Sequence, residues 1–224
     1  MSRSQSNVNL AERIARDRSA ALRLVPVSRE TAERLDLYVE LLGRWRSATN
    51  LIAETSFATV WTRHIADSAQ ILPLVPRAAR WIDMGSGAGF PGLVIAIQLS
   101  DVANALVHCI ESDRRKCAFL REVVRATGAR AEIHAERVET VAPAGLSPVD
   151  AVTARAFAPL PKTIQLARPW LDDGAVGAFP RGRSALGQFD DFAHKDAALA
   201  EGYAVEVVPS VVDKEAGILV IRRR

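Results

Sequence analysis

The chain has 224 residues, 49% of them apolar and 25% charged, with a formal net charge of +3. This is the balance of a globular chain with one sizeable core, and it excludes a disordered or fibrous protein. No apolar run approaches the roughly 18 residues of a membrane span, the polar opening Met1 to Asn9 is unlike a signal peptide, and Cys109 and Cys117 show no cysteine–histidine metal spacing, so a cytoplasmic protein with reduced thiols, no membrane and no metal is expected.

Residues 1–8 are expected to be disordered. The next segments read as helices. Leu10, Ile14 and residues 17–22 begin one pattern. Residues 31–46 carry a stronger one, with Leu35, Leu37, Tyr38, Leu41, Leu42 and Trp45 on an apolar face. A third helix is expected over 57–72, ended by Pro73 and Pro76. Trp45 and Trp61 fall on apolar faces and read as core residues.

From Arg80 onward the rhythm changes. Strands are expected at 80–84, 105–111, 131–134, 151–154, 175–179, 203–211 and 218–222. Helices should fill 91–99, 113–127, 160–170 and 184–200, with a short one near 138–141. Asp113 is placed to cap its helix and Gly128 to end it. Alternating strands and helices imply a parallel sheet covered on both faces. The connection 212–217 is too short for a parallel crossover, so the last two strands should form an antiparallel hairpin. The fold class is therefore α/β: a Rossmann-like, seven-stranded, mostly parallel sheet ending in a hairpin, after a helical extension. The pattern matches class I S-adenosylmethionine-dependent methyltransferases. The division expected is an extension over 1–76 and a methyltransferase domain over 77–224, packed as one unit.

The densest signal is Asp83-Met84-Gly85-Ser86-Gly87-Ala88-Gly89-Phe90-Pro91-Gly92, between a strand and a helix. Clustered glycines let backbone approach a ligand, and the amides opening the next helix face it. Gly87 to Gly92 also fits the dinucleotide fingerprint, a weak match by itself. Asp83, two residues before Gly85, suits the cationic aminoacyl end and sulfonium of S-adenosylmethionine better than a pyrophosphate. A dinucleotide loop and a purely structural turn remain the alternatives.

In open α/β sheets the ligand lies where the strand order reverses, at the carboxyl ends of the strands. Glu111, at the end of the second strand, is expected to hold the ribose hydroxyls. Residues 135–139 follow the third strand, where adenine should lie. Residues 153–157 end the fourth strand beside the transferable methyl. The Asn/Asp-Pro-Pro-aromatic segment of amine methylation is missing there, as is the cysteine that pyrimidine C5 methylation needs. A target that is already nucleophilic remains, such as guanine N7, for which positioning supplies most of the rate. Arg155 would then hold the cofactor carboxylate or the guanine O6/N7 edge. Arginines cluster at 13–18, 114–115, 181–183 and 222–224, which is compatible with an RNA partner.

The glycine loop with Phe90-Pro91-Gly92, together with Glu111-Ser112 and Arg155-Ala156-Phe157, resembles the bacterial small-subunit ribosomal RNA guanine-N7 methyltransferase family. So do Asn50-Leu51, residues 63–68 and Phe179-Pro180-Arg181-Gly182. The likeness runs from about residue 35 to 221. It implies methylation of one guanine N7 in a stem-loop of 16S ribosomal RNA, with the RNA or the small ribosomal subunit as partner. It also implies cofactor contacts from Gly85, Phe90, Val138, Glu139 and Arg155, to which the loop adds Gly87. Arg181 is expected to bind RNA, and Arg63 and His64 are expected at the mouth of the site, helping to hold RNA, with His64 and Asp67 sharing a helix face. Two departures stand out: Arg181 replaces a common lysine, and Glu111 a frequent aspartate. No dedicated base is expected. A non-catalytic adenosylmethionine-binding RNA module and a small-molecule methyltransferase are the alternative functions.

Overall fold

The computed structural model describes residues 3–46, 49–182 and 201–224. Seven strands form one sheet: β1 (Arg80–Met84), β2 (Leu106–Ile110), β3 (Ala131–His134), β4 (Ala151–Thr153), β5 (Val176–Arg181), β6 (Tyr203–Pro209) and β7 (Gly217–Arg223). Their order is β3-β2-β1-β4-β5-β7-β6. β1 to β5 are parallel to one another, whereas β7 runs antiparallel to both β5 and β6. The hairpin expected from the short 212–217 connection is therefore present.

Successive side chains on a strand point to opposite faces. Trp81, Val107, Cys109, Ala151, Ala178 and Val220 face one core. Ile82, Met84, Ile110, Val152, Leu219 and Ile221 face the other. The first face is covered by α2 (Arg29–Trp45), α4 (Gly92–Gln98) and α5 (Arg114–Thr127), and the second by α6 (Leu160–Asp172). Ser28 caps α2 by accepting from Thr31 N at 3.1 Å. Asp113 caps α5 by accepting from Arg115 N and Lys116 N, and Gly128 closes that helix. The predicted helix over 184–200 lies outside the described residues.

α1 (Arg3–Leu24) begins inside the stretch for which disorder is expected. Its Asp17 accepts from the backbone of Trp61 and Thr62 at 2.8 and 3.1 Å. The helix expected over 57–72 is instead a broken path: a 3₁₀ turn (Glu54–Thr59), a π-helical turn (Trp61–Ala66), one α turn, α3 (Asp67–Ala69), and a second 3₁₀ turn (Leu72–Leu74). Apolar spacing does not distinguish these pitches. The wider π turn buries Trp61 and Ile65 while turning His64 toward Phe90. Trp61 is a core residue, and Trp45 is half-buried with its indole N–H donating to Glu122 at 3.0 Å.

Candidate active site

The sheet order reverses between β1 and β4, and two cavities open at the strand ends there. The first measures about 460 Å³. Gly85, Gly87, Phe90, Glu111, Val138, Glu139 and Arg155 all line it.

The loop after β1 is fixed mostly by backbone. Gly85 N and Ser86 N both donate to Ile110 O, at 2.9 and 3.0 Å. Gly85 has φ +68, and a side chain there would overlap the Phe157 ring. A Cβ on Gly92 would press on the Asp83 carboxylate, 2.5 Å from Oδ2. Asp83 therefore has a different place from the one expected. It is fully buried behind the loop, accepts from Gly92 N at 3.1 Å, and does not line the cavity. Burial pushes its pKa up to about 7, partly opposed by hydrogen bonds from Ser86 and Gly92. A carboxylate beside a glycine loop suggested a ligand contact; here it holds the start of α4 against β1.

Glu111 is 8% exposed. Its Oε2 accepts from Gly87 N at 2.9 Å and its Oε1 from Asp113 N at 2.8 Å. The carboxylate thus joins the loop to the start of α5, and each oxygen keeps further lone-pair capacity toward the cavity.

The helical region builds the opposite wall. Tyr38 of α2 donates its hydroxyl to Ala88 O in the loop. Its ring stacks on Phe90 at 5.2 Å, and Phe90 stacks on His64 at 4.9 Å. Burial and the neighbouring charges of Arg155 and Arg63 lower the His64 pKa to about 3, so the ring is neutral near pH 7. Neither ring nitrogen has a hydrogen-bond partner among the described residues. His64 lines this cavity, not the second, and Asp67 turns elsewhere. The expected His64–Asp67 face is not formed. His64, expected at the mouth of the site to help hold RNA, lines the cofactor-side cavity; Leu51, Ile52 and Tyr38 were not legible as residues of that side, because nothing local shows that the extension folds over the glycine loop.

The second cavity, about 640 Å³, is lined by Arg63, Asp67, Arg155 and Arg181 among others. Arg155 pairs with Asp67 through Nε at 3.3 Å and donates from Nη2 to Arg63 O at 2.9 Å. Its Nη1 is buried without a partner among the described residues. Arg181 is 8% exposed, its Nη1 donates to Pro180 O at 3.4 Å, and its Nε and Nη2 have no partner among the described residues. Burial lowers its pKa. Such donors are costly to leave unmet, which suits an anionic or carbonyl-bearing ligand. Arg155 and Ala156 line both cavities, and Ala156 takes the left-handed φ of +50.

Some arginines of the other expected basic clusters are engaged within the protein, and Arg183 lies outside the described residues. Arg222 reaches Leu74 O at 3.1 Å and Glu206 at 3.6 Å, and Arg224 reaches Tyr203 O at 3.1 Å. Arg18 forms a two-bond pair with Asp36. Cys109 and Cys117 are buried and line neither cavity.

The first cavity fits the expected cofactor. A Cβ at Gly87 would meet nothing closer than 3.8 Å, so backbone is open to a ligand there. A strand-end carboxylate faces it, and Val138, Ile110, Leu51 and Ile52 provide an apolar wall. The volume lies in the range of small-molecule sites.

The family of rRNA small subunit methyltransferase G (GidB) matches residues 31–219. A relative from Methylobacterium sp. (strain 4-46), named ribosomal RNA small subunit methyltransferase G, is 46% identical over 204 residues, covering 91% of this chain and 93% of its own. Among solved structures, a putative class I S-adenosylmethionine-dependent methyltransferase from Listeria monocytogenes is similar with a TM-score of 0.61 and 14% identity, covering 89% and 70% of the two chains. The 16S rRNA methyltransferase RmtF, in complex with S-adenosyl-L-homocysteine, is similar with a TM-score of 0.52 and 18% identity, covering 86% and 76%. At these identities the two structures bear on the fold, which is that of class I methyltransferases. The sequence match carries more: this chain belongs to the rRNA small subunit methyltransferase G family.

Proposed function

We propose that the protein transfers a methyl group from S-adenosylmethionine to N7 of one guanine in 16S ribosomal RNA, acting in the cytoplasm on the RNA or the small subunit. The observation that carries this reading is the junction of the two cavities at Arg155 and Ala156. One cavity has a glycine loop and a carboxylate; the other has guanidinium donors that meet no partner among the described residues.

When bound, S-adenosylmethionine supplies an electrophilic methyl on its sulfonium. The remaining work belongs to the chain. Gly85 and Gly87 admit the ligand to the loop, Glu111 accepts from the ribose, and Val138 and Glu139 lie beside adenine. Phe90, steadied by Tyr38 and His64, forms the opposite wall. Nη1 of Arg155 meets the cofactor carboxylate or guanine O6. Arg181 and Arg63 take phosphate or base oxygens of the RNA.

The groups near the junction are poor bases. Asp67 is committed to Arg155 and Gln70, and His64 is held neutral with a strongly depressed pKa. Guanine N7 has a lone pair and no proton to lose, so the reaction asks for alignment alone.

The test is incubation with methyl-labelled cofactor and either bare 16S RNA or small subunits. Digestion to nucleosides then identifies the labelled base. Label in N7-methylguanosine from one RNA position is the expected result. Label in a cytosine or an exocyclic amine would overturn the proposal, as would no transfer by protein that binds both ligands.

A further inference from the structure

We infer that His108, Glu132 and His134 form a binding site for a first-row divalent cation of the zinc class, on the sheet edge behind the cofactor cavity. This does not rest on the proposed methyl transfer.

The strand register assembles the three residues. β2 and β3 are parallel, with His108 opposite Glu132 and Ile110 opposite His134. Residues two apart on a strand share a face, so the three side chains converge on one side of the sheet. Nδ1 of His108 lies 3.0 Å from Nε2 of His134. Oε2 of Glu132 lies 3.5 Å from the first nitrogen and 3.9 Å from the second. A point equidistant from these atoms sits about 2 Å from each, the distance at which zinc holds imidazole nitrogen and carboxylate oxygen.

A hydrogen bond between the two rings accounts for the nitrogen pair alone. It leaves the carboxylate unexplained, because that oxygen is at or beyond hydrogen-bond range of both nitrogens yet completes the triangle. The burial gradient also suits a cation. His108 is buried, His134 is half-buried and Glu132 is exposed, so a fourth position opens to water. Oε1 of Glu136 lies 4.0 Å from Nδ1 of His134, outside hydrogen-bond range, and adds negative charge beside the site. Binding at Nδ1 of His108 leaves the proton on Nε2, which is buried without a partner among the described residues. That cost holds the affinity below that of a closed structural zinc site.

Two imidazoles and one carboxylate suit zinc, cobalt or iron(II), and not magnesium or calcium, which prefer all-oxygen shells. The cation would tie the edge strand β3 to β2 just before Glu111, whose N–H donates to His134 O at 3.0 Å. The sequence hid the set because its members lie on two strands.

Untagged protein, stripped with a chelator, is titrated with Zn²⁺ against a chromophoric competitor and with Co²⁺ by visible absorption. One equivalent per chain is expected, with tetrahedral cobalt bands and a rise in melting temperature with zinc. His134→Gln should abolish this. Glu132→Gln, an exposed change that leaves the fold intact by circular dichroism, should weaken binding at least tenfold. Wild-type binding no tighter than that of the Glu132→Gln/His134→Gln double variant would overturn the site, as would equal affinity in wild type and Glu132→Gln.

Discussion

The two cavities that meet at Arg155 are built on opposite terms. On the cofactor side the loop is braced mostly from within the protein: Glu111 accepts from two backbone N–H groups, Asp83 Oδ2 from a third, and Ile110 O from two more, while Asp83 Oδ1 is buried with no partner among the described residues. On the proposed substrate side Nε and Nη2 of Arg181 and Nη1 of Arg155 are buried with no partner among the described residues. The first region is shaped before any ligand arrives, so damage to it should appear as lost cofactor affinity. In the proposed reading the second is completed by RNA, so damage there should appear as lost RNA binding or turnover.

The largest break in this division should come from Gly85→Val. A branched side chain would strike Phe157 and force an unfavourable φ. Cofactor affinity should fall at least about a hundredfold, ~2.8 kcal/mol, in calorimetry on folded protein. Wild-type affinity would mean the loop is only a turn.

Arg155→Ala strikes the junction itself. It strands the largely buried Asp67 carboxylate, and denaturant titration should show a loss of about 2–3 kcal/mol, below the figure for a fully buried pair because both groups touch solvent. Turnover should drop at every salt concentration. The double variant Arg155→Ala/Asp67→Ala should recover stability but not turnover; recovery of both would leave Arg155 a structural residue.

Asp83→Asn separates the packing role of that carboxyl from a ligand role. The folded protein holds the Asp83 proton up to about pH 7, the unfolded chain only to its ordinary value of 3.8. The folded form thus binds more protons across this window, and this contribution to stability is lost as pH rises through 7. Asparagine carries no charge to bury and keeps an acceptor for Gly92. The variant should gain on wild type as pH rises from about 4 to 7, by up to about 4 kcal/mol above pH 7, with the gap closing only as pH falls toward 4. A gap that does not change with pH would contradict the buried-carboxyl account.

Glu111→Gln should raise the cofactor dissociation constant roughly tenfold, about 1.4 kcal/mol, because a charge-assisted acceptor becomes neutral and one oxygen becomes an amide. An unchanged constant would limit Glu111 to bracing the loop.

How much of this was legible follows the range of each interaction. The glycine loop, the capped helix after Asp113 and the hairpin around 212–217 are written in consecutive residues, and they stand where the spacing put them. Asp83 was recognised but misread, since adjacency to a loop does not say which side of it a carboxyl faces. Tyr38, the stacking of His64 on Phe90 and the Asp67–Arg155 pair were hidden for another reason. They depend on how a helical region folds across a sheet far away in sequence, and on a π turn whose pitch apolar spacing does not encode. The arginines show the same limit: spacing that is compatible with an RNA partner at 222–224 does not show that Arg222 and Arg224 also bond within the protein, nor that Arg181 lines the open cavity.

The smallest effect tests the division of labour most directly. Arg181→Ala and Arg181→Lys would be titrated with 16S RNA over a series of salt concentrations, and separately with cofactor. For Arg181→Ala the account predicts weaker RNA binding, a slope of log affinity on log salt reduced by about 1, and an unchanged cofactor constant, with the slope restored in Arg181→Lys. An unchanged salt slope, or cofactor affinity lost together with RNA affinity, would contradict it.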